Sequence, residues 1–94
     1  MSTKIEVDKI SESEFQVRVM EGTSTTSHRV TVKPSDFERF ASPTTDPILL
    51  IRRSFEFLLE NEPKESILPC FDLSVIARYF PSYLREIRRR LAAS

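Results

Sequence analysis

The sequence predicts an α+β fold, a three-stranded antiparallel meander over residues 4–33 followed by four or five short helices packed on one face over residues 35–92. Three observations carry this reading. Apolar residues recur with period two as far as Lys33 and at helical spacing from Ser35 onward. The only glycine, Gly22, falls between two of the alternating runs. Prolines or capping side chains stand wherever one helical stripe gives way to the next. A chain of 94 residues is expected to form one domain, 1–94.

In the first run Ile5 and Val7 alternate with Lys4, Glu6 and Asp8, which gives a strand with one apolar face. Ser11–Glu14 is short and polar, a turn. Phe15, Val17 and Val19 then alternate with Gln16 and Arg18. Glu21-Gly22 follows, and a lone glycine here points to the positive φ of a tight hairpin. Thr23–Lys33 is rich in β-branched residues, with Val30 and Val32 inward and Arg29, Thr31 and Lys33 outward. His28, the only histidine, lines up with the inward valines. It could serve as a general base beside Ser24 or Ser27. The expected role is a strand-end histidine satisfied by backbone or water, because catalysis needs an orienting partner and a nucleophile in a pocket.

Pro34 ends the strand pattern, since proline cannot donate to a ladder. Ser35-Asp36-Phe37-Glu38 reads as a capping box with Ser35 as N-cap, and Phe37 and Phe40 share one face of the short helix. Asp46 caps the next helix and Pro47 occupies its first turn. Ile48, Ile51, Phe55, Leu58 and Leu59 form its stripe, with Arg52 and Glu56 as an i,i+4 pair on the polar side. Residues 63–68 fit one or two helical turns stopped by Pro69. Cys70-Phe71 is extended, with Cys70 expected as a small buried hydrophobe. Asp72 is an N-cap, and Leu73, Ile76, Ala77 and Phe80 share one face of the helix it starts. Val75 and Tyr79 form a second apolar face. Pro81 starts a last helix with Tyr83, Leu84, Ile87 and Leu91 on its stripe. The stretch Ile67–Leu91 therefore reads as the hub of the domain.

Composition removes several function classes. The longest apolar run is Ile48–Ile51, far short of the ~20 residues of a spanning helix. Met1–Lys9 lacks the apolar core of a signal peptide. A single cysteine allows neither an internal disulfide nor a Cys-pair zinc site, so a cytoplasmic setting with no metal and no cofactor is expected. Net charge is zero but unevenly spread. Residues 1–46 hold six Lys/Arg against eight Asp/Glu, and residues 47–94 hold eight against six. Residues 73–94 carry Arg78, Arg85, Arg88, Arg89 and Arg90 against Glu86 alone. That end leaves room for an acidic partner, although arginines in a last turn also complement the helix dipole.

The order strand, short helix, capped loop, longer helix over residues 29–59 resembles the ribbon-helix-helix family of DNA-binding proteins. That resemblance implies paired strands from two protomers, with Arg29, Thr31 and Lys33 reading bases in the major groove. The helices either side of Pro81 offer a helix-turn-helix instead, with Arg85, Arg88 and Arg89 on phosphate. The run FDLSVIARYFPSYLREI, together with SHRVTV and FEFLLENEPKESIL, resembles a group of short uncharacterised bacterial proteins. This implies a shared design and no activity.

A helix apolar on two sides must be covered on two sides, by its own chain or by another. The leading expectation is a small non-enzymatic binding or protein-interaction domain, partnered by itself as a homodimer or by another protein through Val75, Tyr79 and Tyr83. The alternative is a DNA-binding regulator. No motif for catalysis or membrane attachment stands out.

Overall fold

The alternating runs form strands β1 (Thr3–Lys9), β2 (Glu14–Glu21) and β3 (Ser24–Thr31) in a computed structural model of the chain, which describes residues 3–93. Both pairings are antiparallel, and their register stacks the inward residues: Ile5 opposite Val19, Val7 opposite Val17, Val17 opposite His28, Phe15 opposite Val30. Glu21 pairs with Ser24, so the second hairpin turns on Gly22 and Thr23 alone. Gly22 has φ 59° and no described non-glycine residue has positive φ. That combination is the type II′ turn, whose first central position asks for glycine.

The meander is not the whole sheet. Strand β4 (Cys70–Asp72) lies parallel to β3, which makes the sheet mixed, in the order β1-β2-β3-β4. The outer edge of β3 carries N–H and C=O groups that need partners. The Arg29 N–H donates to the Pro69 carbonyl at 2.8 Å, and the Leu73 N–H donates to the Thr31 carbonyl at 2.8 Å. Parallel pairing requires a long crossover, and the helical segment between Lys33 and Pro69 supplies it. On β4 the pleat sends Phe71 into the core and leaves Cys70 exposed. The expected burial of Cys70 is thus overturned by its register opposite Arg29, on the wet side of the sheet.

Four α-helices cover the other side: α1 (Pro34–Phe40), α2 (Pro47–Asn61), α3 (Ser74–Tyr79) and α4 (Tyr83–Ala93). Residues 63–68 make only a 3₁₀ turn, Lys64–Ser66. In α1 the capping box does not form. Pro34 takes the first helical position, where its fixed φ fits and its missing N–H is no loss, so Lys33 becomes the N-cap and Ser35 sits inside the helix. Asp46 does cap α2, its carboxylate accepting from the Ile48 N–H at 2.9 Å. Glu56 pairs with Arg53 at 2.9 Å, at i,i+3, rather than with the expected Arg52 at i,i+4.

The helix buried on two sides is α2. Towards the sheet, Phe55 meets His28 and Phe71 with ring centroids 5.5 and 6.0 Å apart. Towards the other helices, Phe57 meets Phe80 and Tyr83 at 5.7 and 5.6 Å. Ser54 and Tyr83 are fully buried between α2 and α4. A serine has one proton to give, and Ser54 gives it to the Leu50 carbonyl at 2.7 Å. The Tyr83 hydroxyl therefore donates to Ser54 Oγ, 2.7 Å away. Burial pushes the Tyr83 phenol pKa up. At the far end of α4, Arg90 grips the Glu60 carboxylate with two bonds of 2.8 Å and lies over the Phe57 ring.

The Ser54–Tyr83 bond gives an ordered expectation. Ser54→Ala strands a buried O–H donor and is expected to cost about 2 kcal/mol, whereas Tyr83→Phe removes donor and requirement together and costs about 1 kcal/mol. The double variant should be no less stable than Ser54→Ala alone. Urea unfolding of the four proteins checks this, and equal, additive costs would contradict the assignment.

Candidate functional site

The segment from Ile67 to Leu73 is fixed by side chains from β3. Leu68 O lies 2.9 Å from His28 Nδ1, and a carbonyl can only accept, so Nδ1 carries the proton. In the neutral ring Nε2 then accepts from the Thr26 hydroxyl at 2.9 Å. His28 is 4% exposed with both nitrogens occupied, a satisfied strand-end histidine that holds a neighbouring chain segment. Three strand positions further on, the Thr31 hydroxyl donates to Asp72 Oδ2 at 3.0 Å, while Asp72 Oδ1 accepts from the N–H and hydroxyl of Ser74 at 3.1 and 2.8 Å. Burial alone would raise the Asp72 pKa, but the hydrogen bonds from Ser74 and Thr31 outweigh it and hold the carboxyl below its ordinary value. Asp72 therefore ties the end of β3 to the start of α3.

With that segment fixed, a groove of about 330 Å³ opens between the C-terminal end of α2, the 3₁₀ turn, β4 and α3. Its floor is Leu58, Ile67, Phe71 and Ile76, each under 10% exposed. Val75 and Phe80 form one wall, and Leu68 and Tyr79 stand on the rim, 47% and 71% exposed. The groove exists because α3 is only six residues long. Phe80 precedes Pro81, which pushes it out of the helical region, and it is extended at φ −127°, ψ 92°. The chain turns away before α3 can cover the end of α2. Among the described residues Ile10, Leu68 and Tyr79 are the exposed large apolar side chains, and two of them border this one groove. An apolar concavity with apolar lips marks a binding surface more often than scattered single residues do. Glu62 is the charged side chain in the lining.

The expected interface residues separate. Val75 and Tyr79 line the groove, but Tyr83 does not belong with them. It has no exposed surface, because as the first residue of α4 it faces α2 and packs edge-on against Phe40 at 5.2 Å. Leu68 and Glu62 belong to no stripe, cap or charge cluster in the sequence. Leu68 lies just before Pro69, outside any stripe, and carries no signal of its own.

The cations proposed for nucleic acid are spread over two sides. Arg29 is exposed on the wet sheet face, 4.0 Å from Glu14, and Lys33 is exposed at the start of α1. Thr31 is engaged by Asp72. Along Arg29–Thr31, β3 is paired with β2 on one edge and β4 on the other, so this strand has no free edge there for the two-chain ribbon. On α4, Arg85, Arg88 and Arg89 are exposed. Arg88 donates twice to the Arg39 carbonyl, at 2.7 and 3.1 Å, and Arg89 pairs with Glu86 at 2.8 Å.

Among the described residues no three His, Cys, Asp or Glu side chains converge as a metal site requires, and no helix is long and apolar enough to cross a membrane. No known family model, curated protein or solved structure matches the chain.

Two outcomes follow from this geometry. Asp72 is depressed in the folded state, so its contribution is present above the unfolded carboxyl pKa of about 3.9 and is lost as pH falls through the folded value. The stability gap between the parent chain and Asp72→Asn should be open at pH 7 and close below about pH 4 in thermal unfolding. A gap that widens on acidification would contradict the assignment. Tyr79→Ser should change stability by less than about 0.5 kcal/mol, since its ring is mostly solvated, while Tyr83→Ala should cost about 3 kcal/mol or more.

Proposed function

We propose that this chain is a non-enzymatic protein-interaction domain that docks an apolar, helical segment of a partner in the groove between α2, β4 and α3. The observation that carries the reading is the coincidence of an apolar groove with the exposed Leu68 and Tyr79 on its rim. A groove of this size and lining accepts side chains at i and i+4 of an amphipathic helix. The lone carboxylate of Glu62 favours a segment carrying Lys or Arg beside its apolar anchors. The bound state of His28, shared between Leu68 and Thr26, supports a structural role over a catalytic one. A reducing cytoplasmic setting suits the exposed thiol of Cys70.

Selection of helical peptides against the full chain tests this. Binders should share two apolar anchors and a basic residue, and should shift the amide resonances of Ile67, Leu68 and Val75. Val75→Arg should weaken them about tenfold or more by placing a cation in the apolar wall. Binders that map to the wet sheet face or to α4 would overturn the reading.

A second reading, contact with nucleic-acid phosphate, is favoured by Arg85, Arg88 and Arg89 being exposed at i, i+3 and i+4 on α4. It expects affinity for random duplex that falls steeply with salt, and no binding at about 50 mM salt would remove it.

A further inference from the structure

We propose that the occupant of the groove is α3 of a second copy of this chain, in a two-fold dimer where Tyr79 of each protomer enters the groove of the other and Arg78 pairs with Glu62 of the partner subunit. The inference rests on the docking reading above and names its partner.

A two-fold contact joins one patch to itself, so the patch must carry both a projection and the hollow that receives it. Here both are present. Tyr79 is 71% exposed on the rim of a 330 Å³ hollow that exceeds the volume of an aromatic ring. Tyrosine suits the role, being large, stiff and able to keep its hydroxyl at the wet margin. Val75, four residues earlier on the same face of α3, would be covered in the same contact.

Charge points the same way. Glu62 and Arg78 are opposite in sign, and neither side chain has an ion-pair or hydrogen-bond partner among the described residues. Arg78 is exposed and adjoins Tyr79 along α3, while Glu62 lies in the lining that receives the ring. Two-fold symmetry makes that pair twice and brings no like charges together within the lining. The exposed edge of the sheet is the less suitable surface, because β1 carries Lys4, Glu6, Asp8 and Lys9, the charges that blunt edge-to-edge pairing.

The contact is small. Ten residues line the groove, against about 20 to 30 per side in a standard interface, so the dimer is weak, with Kd on the order of 10–100 µM.

Sedimentation equilibrium of the full chain between about 1 µM and 1 mM spans that range. A monomer–dimer equilibrium is expected, and Tyr79→Asp should leave only monomer with an unchanged circular dichroism spectrum. Glu62→Arg and Arg78→Glu should each weaken the dimer about tenfold at low salt by setting like charges opposite each other. Combined in one chain, the two changes restore opposite signs and should return the Kd to within about threefold of the parent. A chain that stays monomeric at about 1 mM, a dimer that survives Tyr79→Asp, or a double variant no better than the singles would overturn the proposal. The peptide selection separates this failure from that of the docking reading. Monomeric protein whose selected peptides still map to the groove removes only the second copy as occupant, whereas monomeric protein whose peptides map elsewhere removes both.

Discussion

Burial of α2 on two opposite faces is the constraint around which the rest of the helical layer is arranged. A single open sheet can cover one face of a helix, and here it does so through Phe55 against His28 and Phe71. The other face, Ser54 and Phe57, must be covered by helices that come later in the chain. Tyr83 at the start of α4 provides both an aromatic ring and a hydroxyl, and the hydroxyl matters because Ser54 would otherwise present an unused acceptor in a dry space. The ion pair of Arg90 with Glu60, on the last turns of the two helices, holds the same contact at its far end.

A second constraint fixes the segment that leads into α3. Its backbone continues the sheet as β4, and its position is set by two side chains of β3, His28 on the Leu68 carbonyl and Thr31 on Asp72. The inward His28 and the outward Thr31 lie on opposite faces of the strand, so the segment is held from above and below. This makes the wall of the groove part of the rigid framework. A surface with that support can present Leu68 and Tyr79 in defined places without burying them, which a mobile loop could not.

The functional picture follows from this unequal coverage. α4 is long enough to cover the helix-facing side of α2 near Ser54, while α3 stops at Phe80 and leaves the C-terminal end of α2 open. The remaining apolar surface collects where coverage ends. The cations that drew notice in the sequence are mostly engaged in the fold: Arg88 on the Arg39 carbonyl, Arg89 on Glu86, Arg90 on Glu60. Arg78 stands apart from that network, beside Tyr79.

Much of the local structure could be read from the sequence alone. The alternation of Phe15, Val17 and Val19, the turn at Gly22, the cap at Asp46 and the stripe of α2 are short-range features whose causes lie within a few residues of each other. What could not be read was longer in range. The alternating pattern ends at Lys33 and gives no sign that Cys70 joins the sheet, and only the pairing of Arg29 with Cys70 sets its side chain on the wet face. Tyr83 served equally well as a core residue or an interface residue until the position of Ser54, 29 residues earlier, decided between them. The N-cap of α1 lies two positions before the capping-box serine, at Lys33 rather than Ser35, because Pro34 both stops the strand and starts the helix. The sequence by itself determined the three strands of the meander, the main helices and the apolar face that α3 has to cover, since periodicity and capping are local, but not the place of β4 in the sheet. Which residues remain uncovered, and so where another molecule could sit, was decided only by tertiary structure, because exposure depends on how far each neighbouring element reaches.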